Sequence, residues 1–174
     1  FIRMAYHYAR GSAHVRRKEL NEAKAELGLL EKLAADEGVK KLETPTLPGS
    51  AIIKVYQTLL TAEVAGLSGN SDGLLKGLQE AIGLQDKLPY MEPPFFSFPI
   101  RQRLGAVYVA LGRWKEAEEI YGEDLKKNPE NGWSLFGFLQ CLRSSGRFSE
   151  ADRVEKRFRD AWKYADVTLT ASCY

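Results

Sequence analysis

Two features of the chain are spelled like catalysis. Gly69-Asn70-Ser71-Asp72-Gly73 reads G-x-S-x-G, the turn that lifts a nucleophilic serine between an entering strand and a leaving helix. His7 and His14 are the only imidazoles, the groups suited to proton transfer and metal binding near neutral pH. The surroundings of both argue for other roles. Residues 55–66, ahead of Ser71, carry apolar side chains at helical spacing rather than the alternation of a strand. Ser71 or Asp72 is therefore expected to cap the following helix. A serine nucleophile needs a histidine base within reach, and both histidines sit far upstream. Seven residues separate them, or ~10.5 Å along a helix, too far for one metal with bonds of ~2.1 Å. His14 is expected to pack between helices, and His7 to pack or hydrogen-bond near the same turn. The glycines lack the Gly-Lys-Ser/Thr of a phosphate loop. A hydrolase built on Ser71, or a metal enzyme built on His7 and His14, ranks last among the function classes. No catalytic residue, metal or cofactor is expected.

Composition points the same way. The 174 residues are 44% hydrophobic and 28% charged, the balance of a folded domain rather than a disordered chain. The net charge of +2 comes from 25 basic and 23 acidic residues mixed along the sequence. Arg16-Arg17-Lys18 is the densest basic cluster and reads as a solvated helix end, so no nucleic-acid partner is expected. Cys141 and Cys173 are too few for a disulfide framework or a zinc site. No apolar run approaches the ~20 residues of a membrane span, and no signal peptide is expected within these residues. A cytoplasmic setting without membrane contact is the expectation. The chain opens at Phe1, without methionine, inside a helical pattern, which reads as a piece of a longer protein.

The elements that hold these residues emerge from an internal match. A shift of 34 residues carries Gly112 onto Gly146, Trp114 onto Phe148 and Ala117 onto Ala151. Leu-Gly-Arg-Trp-Lys-Glu-Ala and Ser-Gly-Arg-Phe-Ser-Glu-Ala are thus one helix–turn–helix joint written twice. In each, glycine ends the first helix in the left-handed conformation, the aromatic is expected to pack on the joint, and alanine opens the buried stripe of the second helix. A backward shift of 43 residues carries Gly112 onto Gly69. His7-Tyr8-Ala9-Arg10-Gly11 with Leu20, Ala23 and Leu27 supplies a further copy, in which Gly11 matches Gly105. Helices are predicted near 2–17, 20–36, 50–68, 72–87, 98–111, 114–127, 132–145 and 148–164. Ser149 falls in the first turn of the last. A longer loop with Pro45 and Pro48 covers 37–50. The proline-rich stretch 88–97 holds the insertion between the second and third copies. Within residues 90–99, Phe95, Phe96 and Phe98 either form an exposed recognition loop or fold back as a plug. The plug is favoured, because so dense an apolar segment is costly to leave in water.

Leu104-Gly105-x-x-Tyr108, Ala117-x-x-x-Tyr121 and Pro129 together resemble the tetratricopeptide repeat family. Gly105 and Ala117 would let two antiparallel helices approach closely, with Tyr108 and Tyr121 filling the space beside them. The resemblance extends over most of the chain with degenerate repeats near 4–36, 55–87, 98–131 and 132–165 in a single domain, 1–174. Arg101 stands where the family has tryptophan, Asp124 where it has alanine, Leu139 where it has a small residue and Glu155 where it has an aromatic. The last helix, through Trp162, can serve as a cap. The mixture of loops and repeats is also similar to the C-terminal portions of large tetratricopeptide proteins.

What the resemblance implies is an all-α fold, a right-handed array of antiparallel helix pairs whose first helices line a concave groove. On that face would lie Tyr8 and Ser12, Leu59 and Glu63, Gln102 and Ala106, then Phe136, Gln140 and Arg143. The lysine–asparagine clamp of family members that hold chaperone tails is absent. A mixed aromatic and polar groove suits an extended peptide or a helix of a protein partner. The expected function is a non-enzymatic interaction scaffold. The alternative is a structural or regulatory repeat region packed against another domain of a larger enzyme.

Overall fold

Four chain reversals organise the protein, and all four are the same turn. The computed structural model describes residues 2–41, 43–44, 46–96 and 98–173, with the backbone alone at residue 40. Phe1, Leu42, Pro45, Ser97 and Tyr174 lie outside the described residues, among them both ends of the chain and one proline of the 37–50 loop. At three reversals Gly69, Gly112 and Gly146 take φ of 85°, 69° and 73°, where a β-carbon would be strained. The amide of Gly112 bonds Val109 O at 3.0 Å, and the next amide, Arg113, reaches back to Tyr108 O at 2.9 Å. Gly146 and Arg147 repeat this on Arg143 and Leu142, and Gly69 and Asn70 on Gly66 and Ala65. Such paired bonds satisfy carbonyls that a helix end leaves open. The first reversal has no glycine: Lys18 takes φ of 61° and makes the same pair, Lys18 N to Val15 O and Glu19 N to His14 O.

The helices between these turns are α1 (Ile2–Arg16), α2 (Leu20–Ala34), α3 (Glu37–Lys40), α4 (Gly49–Leu67), α5 (Ser71–Gln85), α6 (Ile100–Ala110), α7 (Trp114–Lys127), α8 (Gly132–Ser144) and α9 (Phe148–Trp162). Among the described residues there is no strand, only an isolated bridge from Glu43 to Pro48. The eight expected helices are present within two residues at each boundary. One further turn, α3, interrupts the expected 37–50 loop because the Asp36 carboxylate caps it, accepting from Gly38 N at 2.6 Å, while Val39 is buried. The fifth expected helix starts late, since Pro99 stands extended at its N-cap and restricts Phe98 before it.

The chain divides into two compact units, Phe1–Ser97 and Phe98–Tyr174, each holding two of the four expected pairs. In the first unit α1 pairs with α2, and both pack on α4, which pairs with α5. Met4, Leu30, Ile52, Val55, Leu59, Leu60 and Leu78 form its interior. Phe96 turns into the same unit, buried with its ring 4.8 Å from that of Tyr56, and the Tyr56 hydroxyl donates to Phe95 O. The aromatic stretch is therefore at least partly a plug, although Tyr90 stands exposed. In the second unit α6 pairs with α7 and α8 with α9, and α8 touches both helices of the preceding pair. Ala117 has no exposed surface, as a close-contact position requires. Leu135, Leu139, Leu142, Ala151 and Val154 form its second layer. Trp114 and Phe148 depart from expectation: they are 40% and 65% exposed. They open their helices at the tips of the hairpins, where Arg113 instead covers the joint by lying over the Tyr108 ring at 4.8 Å.

Candidate partner-binding surface

Of the residues that looked catalytic, both histidines are paired with carboxylates and Ser71 lies exposed in the first turn of α5. Asn70, not Ser71 or Asp72, caps α5, accepting from Gly73 N at 2.8 Å, because Gly69 at the reversal places Asn70 at the cap position. His7 Nδ1 lies 2.7 Å from the buried carboxylate of Glu26, which also takes Arg10 at 3.1 Å. His14 Nδ1 lies 2.6 Å from Glu19 across the first reversal. That hydrogen bond is the main reason the Glu19 carboxyl is held below its usual range, with Arg17 adding to it against some desolvation. Among the described residues no cluster of three or more His, Cys, Asp or Glu could hold a metal.

In the first unit, the residues assigned to the groove face inward. Leu59 is 0% exposed, and Tyr8, Ser12 and Glu63 are buried. The Tyr8 hydroxyl donates to Glu63 Oε1 at 3.1 Å, and its ring packs 5.0 Å from that of Tyr56. Tyr8, Leu59 and Glu63 are thus brought together as the seam between α1 and α4. The periodicity that places them on one face of the first helices does not distinguish a groove from a helix contact.

The second unit separates its four. Gln102 is buried and accepts from Asn131 Nδ2 at 3.1 Å. Phe136 is half-buried, its ring 5.5 Å from that of Phe158 on α9. Arg143 is exposed and donates to Glu155 at 2.8 Å. This explains a carboxylate where the repeat has an aromatic: Glu155 also accepts from Arg159, and both guanidiniums hold its carboxyl below the usual range, Arg159 foremost. Gln140 is half-buried. Phe136, Gln140 and Arg143 therefore keep surface available on α8, with Phe136 and Arg143 steadied by α9.

Two arrangements in this unit escaped the sequence. The first surrounds Asp124, the departure from alanine. Its buried carboxylate accepts from Ser134 Oγ at 2.6 Å, Asn131 Nδ2 at 2.9 Å and Asn128 Nδ2 at 3.0 Å, tying the end of α7 to the start of α8. The run Asp124, Asn128, Asn131, Ser134 was the available signal. The second is a slot. The Tyr121 ring leaves α7 and passes between Gly105 of α6 and Gly137 of α8, where a β-carbon on either glycine would collide with it. At its tip the hydroxyl meets the hydroxyl of Ser172, in the segment after α9. Burial pushes the Tyr121 phenol well above its usual range, so it stays protonated. Nothing in the sequence pairs residues 121 and 172.

Comparison with known proteins matches no family profile and no curated protein. Among solved structures, the crystal structure of MamA protein superposes with a TM-score of 0.52 at 14% identity, covering 97% of this chain and 98% of that one. At that identity the likeness is one of fold. The helix pairs and the repeated joints among the described residues give the chain a tetratricopeptide-like helical-repeat fold.

Proposed function

We propose that this helical-repeat chain is a non-enzymatic scaffold that holds a peptide or a helix of a protein partner on the first-helix face of its repeats. The observation that carries the proposal is α8, which keeps an aromatic, an amide and a guanidinium at its surface. Phe136, Gln140 and Arg143 are the contact residues. Gln102 acts behind that surface, accepting from Asn131 at the start of α8, whereas Tyr8, Ser12, Leu59 and Glu63 are spent on the interior of the first unit. Aromatic and arginine anchors of this kind commonly dominate partner affinity. The pairing of His7 with Glu26 and of His14 with Glu19 supports the non-enzymatic part. Membrane insertion has no support, since among the described residues no helix is long and apolar enough to cross a bilayer.

Proximity labelling in the source cell tests this. Replacing Phe136 and Arg143 together with alanine should remove a defined set of labelled proteins while far-UV circular dichroism stays unchanged. An unaltered set would sink the assignment. The structural reading, in which the chain packs on another domain, draws on one observation: Leu111, Trp114 and Phe148 are exposed at the hairpin tips of the second unit. Trp114→Ser with Phe148→Ser would then be the variant that loses partners.

A further inference from the structure

Both units contain the same helix pair, and the first leaves open what the second fills. A shift of 77 residues carries Gly69 onto Gly146 and with it α4 onto α8. In the second unit Leu135, Phe138 and Leu142 of α8 close with Val154 of α9 into an apolar cluster. The matching residues of the first unit are Thr58, Thr61, Ala65 and Gly77. Where the large side chains are missing, a groove of about 430 Å³ runs between α2 and α5 with α4 as its floor. Helical spacing puts Lys54, Thr58, Thr61 and Ala65 on the side of α4 opposite Leu59 and Glu63. The groove therefore lies away from the α1–α4 seam, between the second helices of the two pairs.

Two observations point to an occupant. Thr58 lines the groove and is only 8% exposed, yet its hydroxyl has no hydrogen-bond partner among the described residues. A hydroxyl so enclosed is destabilising until something bonds it. The other observation is charge. Glu31 of α2 and Glu80 of α5 stand on opposite walls, with Lys54 on the floor, and none of the three makes an ion pair among the described residues. Gly77 rests on Ala62, where a β-carbon would come 2.6 Å from that of Ala62. Glu80, one turn further along the antiparallel α5, is thus level with Thr58. Gln57 donates to Leu30 O at 3.4 Å, which sets Glu31 at the same end. That end carries one surplus negative charge, while the end lined by Ala65, Asn70 and Gly73 is neutral.

The dimensions suit an extended peptide. From Lys54 to Ala65 α4 runs ~16 Å, the length of about five extended residues. A helix, ~10 Å across, is too thick for the volume. Small residues on the floor and wall let a second backbone approach closely, and its carbonyls and amides can pair with the Thr58 hydroxyl and the Gln57 amide.

We propose that the groove between α2 and α5 binds an extended peptide of small residues that ends in a lysine or arginine. The peptide backbone bonds Thr58, and the cation sits between Glu31 and Glu80. This site belongs to the first unit and is independent of partner contact through Phe136, Gln140 and Arg143 of α8.

The test uses the full chain and two variants. Thr58→Val keeps the shape of the side chain without its hydroxyl, and Glu31→Gln with Glu80→Gln removes the charge at two exposed positions. The probes are two blocked pentapeptides, Lys-Ala-Gly-Ala-Ala and Ala-Ala-Gly-Ala-Lys, which offer the cation at opposite ends. At millimolar concentration at least one should move the Gly73 and Gly77 amide signals in nitrogen–proton NMR spectra of the unaltered chain. Its dissociation constant should rise about tenfold in Thr58→Val and about threefold in the glutamine double variant, at unchanged helicity. The same peptide with glutamate for lysine should leave both signals in place. Spermidine, a cation without a peptide backbone, should move them less than the peptide does. Unmoved signals with both pentapeptides, or undiminished binding by either variant, would overturn the proposal. Equal action of the glutamate peptide or of spermidine would overturn it as well.

Discussion

Lys18 shows how firmly one backbone conformation is required at the joints. A left-handed residue with a β-carbon costs about 1–2 kcal/mol, and glycine gives back roughly 0.5–1 kcal/mol of that in chain entropy. Lys18→Gly should therefore raise stability by about 0.5–1 kcal/mol in urea denaturation, whereas Gly112→Ala should lower it by about 1 kcal/mol. Equal midpoints for all three proteins would mean that the turns relax freely. Asp124 makes the opposite case, a polar residue in the interior that three donors require. Asp124→Ala leaves those donors unmatched and should cost about 2–3 kcal/mol, more than Asp124→Asn. Glu19 sets a pH dependence. Its depressed carboxyl contributes stability that is present above the usual carboxylate range and is lost as pH falls through the folded value. Glu19→Gln should flatten the decline in melting temperature between about pH 5 and pH 3, and an identical decline would remove His14–Glu19 from the account.

At the scale of helices, the pattern of small residues decides how closely neighbours approach. Ala117 has no exposed surface, and Ala117→Leu should overpack the α6–α7 contact at a cost of about 1–3 kcal/mol. An unchanged melting temperature would show that the two helices do not close there. Most element positions were legible before the structure because many helix ends carry a local signal: the glycine reversals at Gly69, Gly112 and Gly146, Asn131 before α8 and Pro99 before α6. Leu139 and Glu155 looked like decay of the repeat. In place they are functional parts of it, Leu139 in the α8–α9 core and Glu155 as the acceptor for two arginines. The groove was less legible. Helical spacing says which residues share a face, and only packing says that Tyr8, Leu59 and Glu63 spend that face on the α1–α4 seam.

At the scale of the molecule, the two units are each built round their own interior. The second unit holds Tyr121, Leu135, Leu142 and Ala151 within residues 98–174. Expressed alone, that stretch should give a helical circular-dichroism spectrum and a cooperative melt, though a lower one, since so small a domain buries a modest share of its surface. A featureless melt would show that its core is incomplete. The sequence by itself determined the eight longer helices, their four reversals and their pairing, because hydrophobic period, capping and left-handed glycine are local and act within a few residues. Only the tertiary structure decided which apolar faces meet helices and which meet solvent, that Lys18 serves as a glycine, and that Ser172 completes Tyr121. Those outcomes join residues as much as 55 apart, and no short-range preference encodes a distance of that kind.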